Sequence, residues 1–163
     1  MSVDATPYTK TFEDELDWKL FDQLHGVVSQ ISSFCFETKK FCVTTEFVVL
    51  TLMVKFTADK LDHSLFVAGL VIPLSFWFLD AVGYYYQVKL RGMMESIRVR
   101  LGDRNSRQIV GIAGAPIISR ERIQRPLLRR AFDAAVNHSM WLYGFLIGTD
   151  LFVWALFAAG SIR

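Results

Sequence analysis

At 163 residues, 52% hydrophobic and 14% aromatic, with a mean hydropathy of +0.30, the chain is greasier than a soluble domain, where roughly 45–50% apolar is ordinary. The apolar residues fall in a few continuous blocks, which excludes a disordered chain and points to a membrane protein. Net charge is only +2, and two cysteines are too few for a disulfide scaffold.

Residues 1–40 are expected to form an N-terminal cytoplasmic region. Met1 to Thr11 is polar, carries Pro7 and reads as loosely held. No basic n-region leads into an apolar h-region, so no cleavable signal peptide is expected. Acids at Glu13, Asp14 and Glu15 mark a helix start. Leu16, Leu20, Leu24, Val27, Val28, Ile31, Phe34 and Cys35 then recur at three and four spacing, which predicts an amphipathic helix. It either packs on the rest of the protein or lies in the membrane interface; its acidity disfavours the second. Cys35 and Cys42, seven apart on one helix, are too distant to bridge and read as reduced packing residues.

Residues 41–88 carry the first two expected spans. Phe41 to Ala58 follows Lys39 and Lys40, contains Glu46 and has Lys55 near its far end. With the amphipathic helix it reads as one rod from about Glu13 to about Lys60. A short turn at Asp59 to His63 leads into Ser64 to Val88. There Pro73 sits inside the helix, where it frees a carbonyl and favours a kink. Trp77, Tyr84, Tyr85 and Tyr86 form an aromatic belt with Asp80 just inside it.

Residues 89–137 are a polar connection with eleven bases against four acids, net +7, whereas residues 1–40 are net −3. Its first part, to about Leu101, extends the second span as a helix, and Gly102 to Ser106 reads as a turn. Ile109 to Ile118 is apolar but too short to cross a bilayer. Glu121 to Val136 predicts a second basic helix that starts or kinks at Pro126.

Residues 138–163 hold the third span. Ser139 to Gly160 carries a single charge, Asp150, near its middle. As a helix it would be about 33 Å long at roughly 1.5 Å per residue, matching an apolar bilayer core of roughly 30 Å. The fold class is therefore an all-α integral membrane protein: three transmembrane helices, an N-terminal amphipathic helix and a basic helical cytoplasmic connection. The positive-inside rule places that connection and the N-terminus in the cytoplasm and the C-terminus outside. The expected location is a membrane, crossed more than once.

The intramembrane acids carry the functional reading. A carboxylate at the depth of Asp150 costs on the order of 3 kcal/mol unless it is neutral, paired or wet. It either bonds a Tyr or Thr inside the bundle or lines a pore or gate. Gly144 and Gly148 form a GxxxG pair on the opposite side of that helix, a close-packing signature. Glu46 and Asp80 are expected at similar depth on adjacent helices, where they either attract cations or pair with Lys39, Lys40, Lys89 or Arg91. Arg98, Arg100, Arg104, Arg107, Arg120, Arg122, Arg125, Arg129 and Arg130 are candidates for binding an anion, whether a nucleotide or an oligonucleotide. The alternatives are attraction to anionic lipid and simple topological marking. No phosphate loop, metal-ligand spacing or nucleophile motif accompanies them. His25, His63 and His138 stand far apart. Neither catalysis nor a cofactor is expected.

The run Phe76-Trp77-Phe78-Leu79-Asp80-Ala81-Val82-Gly83-Tyr84-Tyr85-Tyr86, passing straight into the basic helix Lys89 to Arg100, resembles small multi-span proteins of bacterial anti-phage systems. These include SLATT-type effectors and the membrane effector of the Hailong system. The likeness covers roughly residues 40–101; the third span lies beyond the two-span SLATT arrangement. It implies a homo-oligomeric membrane effector, held closed until a cytoplasmic signal, often a nucleotide made by a partner, lets it permeabilise the membrane. Pore formation by so short a chain needs several copies, usually in cyclic symmetry. A non-conducting membrane anchor that recruits a cytoplasmic partner is the alternative. A proton-coupled transporter is disfavoured, because no internal repeat is present.

Overall fold

The computed structural model describes residues 10–56, 62–105, 116–119 and 126–161. They form four α-helices: α1, Phe12–Phe56; α2, His63–Asn105; α3, Leu127–Ala135; and α4, Trp141–Ala158, which is entered through a 3-10 turn at His138–Met140. No strand occurs among the described residues.

Two rods organise the molecule. With 45 and 43 residues, α1 and α2 are each about 65 Å long at roughly 1.5 Å per residue, twice the apolar thickness of a bilayer. They lie antiparallel, and their seam repeats every seven residues. On α2, Phe66, Pro73, Asp80, Gln87, Met94 and Leu101 form one buried row. Gly69, Phe76, Gly83, Leu90 and Ile97 form a second, buried or half-buried. On α1 the matching rows are Phe21, Val28, Cys35 and Cys42, with Leu24, Ile31 and Thr38. Two such rows keep one face of a helix turned to its partner over many turns. The register shows in the polar pairs. The Gln87 amide donates to Ser32 Oγ; seven residues on along α1 and seven back along α2, Lys39 meets Asp80. Between them, a Cβ on Gly83 would lie 3.0 Å from the sulfur of Cys35, so this glycine lets the rods close.

The distal half of the hairpin has its own core of Leu24, Val28, Met94, Ile97 and Leu101. Ion pairs clamp its tip. Arg104 reaches Glu13 at 3.0 Å, Asp14 at 3.3 Å and Asp17, while Arg100 reaches Asp17 at 3.2 Å. Thr11 and Asp14 cap α1 reciprocally: the Thr11 N–H donates to Asp14 Oδ2 (3.3 Å) and the Asp14 N–H to Thr11 Oγ1 (3.2 Å). This satisfies helix-end donors that would otherwise lack partners.

At the other end of the hairpin, Asp62 starts α2 by accepting from the Ser64 hydroxyl at 2.6 Å and the Ser64 N–H at 3.4 Å. Those bonds hold its carboxyl below the usual carboxylate range. α4 packs along α2 nearby. Trp154 Nε1 donates to His63 Nδ1 at 3.0 Å, and Phe66 stacks on Trp154 with ring centroids 5.9 Å apart. α4 ends at Gly160, φ 72°, where Ser161 N–H bonds Leu156 O and Gly160 N–H bonds Phe157 O. α3 rests on the middle of α2: Trp77 Nε1 donates to Ala135 O at 2.8 Å, and Arg130 lies 5.4 Å from the centre of the Tyr85 ring.

Two stretches are long and apolar enough to cross a membrane, His63–Arg104 and His138–Ala158. Of their most apolar windows, 28% and 11% are buried within the chain. The expected first span, 41–58, runs past the described end of α1 at Phe56, and no qualifying stretch lies within the described part of α1.

One expectation changes and the open alternatives are decided. Gly102 to Asn105 is the last turn of α2 rather than a loop, because Arg104 is anchored on α1. The second basic helix begins at Leu127, directly after Pro126, as the missing N–H of proline favours. The amphipathic helix packs on α2 as part of one continuous rod. Of the short apolar segment, Ile118 is buried and the Ile117 N–H donates to Glu95 Oε2 at 2.9 Å. Its earlier residues, the first nine residues, Asp59 to Leu61, Arg107, Arg120, Arg122 and Arg125 lie outside the described residues.

Candidate functional site

Two polar layers cross the apolar part of the bundle. The first joins α1, α2 and α4. Asp80, fully buried, accepts from Lys39 Nζ, and the Tyr143 hydroxyl donates to the same oxygen at 3.2 Å. Lys39 also lies 6.0 Å from the centre of the Tyr143 ring. Tyr143, Cys42 and Met140 form a small buried core around this contact, flanked by Phe76, Trp77, Ala81, Tyr84 and Leu146. The seven-residue row of α2 delivers Asp80 to the seam, and the row of α1 places Lys39 beside it. A buried carboxylate is tolerable here because a cation and a phenol meet it. A cavity of about 290 Å³ opens alongside, lined by Ser32, Cys35, Lys39, Tyr84, Gln87 and Ser139 among others. Burial, and then the neighbouring Asp80 carboxylate, push the Cys35 thiol up to about 12.

The second layer lies deeper. Glu46 is seven residues beyond Lys39 and Asp150 seven beyond Tyr143, a step of about 10 Å at roughly 1.5 Å per residue. Glu46 is 8% exposed and within electrostatic range of Asp150. Asp150 turns toward α2, where Gly69 makes room for it: a Cβ on Gly69 would lie 2.8 Å from Asp150 Cγ and 3.3 Å from Oδ2. Glu46 Oε2 and Asp150 Oδ2 are buried and find no hydrogen-bond partner among the described residues. Two carboxyl groups thus lie within electrostatic range of one another, and neither has an ion pair among the described residues, an arrangement suited to holding a cation or a shared proton.

The expected level of Glu46 and Asp80 is corrected by this geometry. They differ in depth by about two turns, because Asp80 pairs with Lys39 and Glu46 instead meets Asp150. Asp80 is also withdrawn from every surface by its two partners. Gly144 and Gly148 lie on the exposed side of α4, with nothing among the described residues within 4 Å of an added Cβ, so their smooth face packs on no other described helix.

Among the described residues the arginines do not make an open collar. Arg98 is held by Glu95 at 2.7 and 2.9 Å, which raises its already high pKa, and Arg100 and Arg104 are committed to the acids of α1. Arg129 is exposed, while Arg130 packs against Tyr85. Charge counting along the chain placed all five in one class; the fold divides them by whether an acid lies within reach.

Sequence reasoning missed Gly69, Tyr143 and the His63–Trp154 contact. Gly69 was visible in principle, since it stands seven before Phe76 and fourteen before Gly83 in one row. Nothing comparable marks Tyr143. No family model, curated protein or solved structure matches this chain.

Proposed function

We propose that the chain is a homo-oligomeric integral membrane protein that conducts cations past Glu46 and Asp150. The observation that carries this is that Glu46 and Asp150 lie within electrostatic range between apolar helices, each with a buried carboxyl oxygen that has no partner among the described residues. Buried polar atoms without partners are uncommon in folded chains and cluster where an ion, water or a proton acts. The three spans are 41–58, 64–88 and 139–160, with the distal hairpin in the cytoplasm. One copy encloses no path, so several gather, and the open glycine face of α4 is one place where they pack.

In this reading the distal hairpin is the gate. An anionic signal competes with Glu13, Asp14 and Asp17 for Arg100 and Arg104 and loosens the tip of the hairpin. The effector role in anti-phage defence, in the inner membrane of a bacterium, is what the resemblance over residues 40–101 adds.

The test is ion flux through liposomes holding the purified protein, with and without nucleotides or oligonucleotides. Cation flux is expected, reduced by Asp150→Asn and further by Glu46→Gln with Asp150→Asn. Absence of flux under every anion tried would sink the reading. The alternative, an anchor that recruits a cytoplasmic partner, draws on the exposed Phe12, Leu16 and Trp18 at the hairpin tip. An anchor tolerates both acid substitutions without loss of function.

A further inference from the structure

The seven-residue seam leaves two flanks on the α1–α2 hairpin, and they differ. One holds Lys39 and Glu46 and is covered by α4 through Tyr143 and Asp150. The other holds the residues just before each row that starts the seam. On α1 these include Val27, Phe34 and Phe41, exposed by 42%, 54% and 61%. On α2 they include Leu79, Tyr86 and Met93, exposed by 50%, 51% and 48%. All are apolar or aromatic and spaced by seven. In an antiparallel heptad pair, positions that precede the seam on both helices fall on the same side. The Ser32–Gln87 and Lys39–Asp80 register brings Val27 level with Met93, Phe34 with Tyr86 and Phe41 with Leu79. The result is one apolar strip along the hairpin.

We infer that this strip is the contact surface for a second copy of the chain, packed face to face about a two-fold axis along the membrane normal. The inference rests on the proposed homo-oligomer and names its interface. Two features select a second copy. First, the strip runs without a break from the apolar span, at Phe41 and Leu79, into the charged distal half, at Val27 and Met93. Its occupant must itself pass from lipid into water at the same level, as this hairpin does. Second, the charges fit. Residues 12–40 of α1 carry six acids and three bases, whereas residues 88–105 of α2 carry five bases and two acids. A two-fold axis lays α1 of one copy over α2 of the other, so the net −3 of one faces the net +3 of its partner. Stacking α1 on α1 would oppose like charges. The product is a four-helix bundle in which every neighbour is antiparallel and every apolar row is covered. The glycine face of α4 remains free for contact between such pairs.

The experiment uses full-length protein in two tagged forms, one Val27→Cys and the other Met93→Cys, co-expressed and oxidised in membranes. Native protein, with Cys35 and Cys42 turned into the hairpin, serves as blank. The opposite flank, His25→Cys with Arg91→Cys, serves as control. A mixed-tag disulfide dimer is expected for the 27/93 pair, at least tenfold above the blank and the control. Light scattering on the same preparations separates the failures. An oligomer without the 27/93 band overturns this interface and leaves the homo-oligomer standing; a monomer overturns both.

Discussion

Replacing Gly69 by alanine tests the deeper polar layer directly. The added methyl would lie 2.8 Å from Asp150 Cγ, closer than real Cβ contacts come, so α4 must back away or the carboxyl must swing off its site. Overpacking of this kind costs about 1–3 kcal/mol. Alanine in place of a helical glycine returns up to about 1 kcal/mol through its higher helix propensity. The single substitution should therefore lower stability by about 0–3 kcal/mol. In an Asp150→Ala background the obstructing atoms are gone, and the same change should raise stability by up to about 1 kcal/mol. The coupling between the two sites is then about 1–3 kcal/mol, measured as a double-mutant cycle by denaturant unfolding in detergent. Gly144→Ala and Gly148→Ala, with open space beside them, serve as references that keep the propensity gain. If Gly69→Ala shifts stability equally with and without the Asp150 side chain, the two residues do not meet and the proposed site is misplaced.

The other layer and the hairpin give three more. Lys39→Met strands Asp80 as a buried charge and should cost about 3–5 kcal/mol, most of it recovered in Lys39→Met with Asp80→Asn; thermal unfolding in detergent reads both. Arg104→Ala removes the partner shared by Glu13, Asp14 and Asp17, and hydrogen exchange over residues 12–20 should rise to that of a fraying terminus while the Lys39–Asp80 region keeps its protection. Because its pKa is pushed up to about 12, the Cys35 thiol should stay protonated through neutral pH, and iodoacetamide should label it at least a hundredfold more slowly at pH 8 than an ordinary thiol with a pKa of about 8.5. Labelling should quicken as pH climbs toward 12, and Asp80→Asn, by removing the negative neighbour, should speed it at every pH below that.

Legibility in the sequence followed the range of the interaction involved. The rods were readable because Leu24, Val28, Ile31 and Cys35 recur at helical spacing with no Gly or Pro that breaks them, and Pro73 alone does not end a helix buried on its neighbour. Asp150 was readable as costly because lipid-length apolar sequence surrounds it on the same helix. Its partner was not, because Glu46 lies about a hundred residues away and only the register of two long rods decides which acids share a level. Two turns of slip would have set Glu46 near Asp80, as equal distance from the ends of the spans suggested. That slip is blocked by Gly83 under Cys35 and by Lys39 on Asp80, two contacts whose members look unremarkable in the chain. The arginines teach the same point about charge. A run of bases reads as a free positive surface until the fold brings Glu13, Asp14 and Asp17 from the far end of α1 to meet Arg100 and Arg104. Part of the net −3 of the N-terminal region and part of the net +7 of the connection meet in one clamp, so the surplus open to a ligand is smaller than the sequence total.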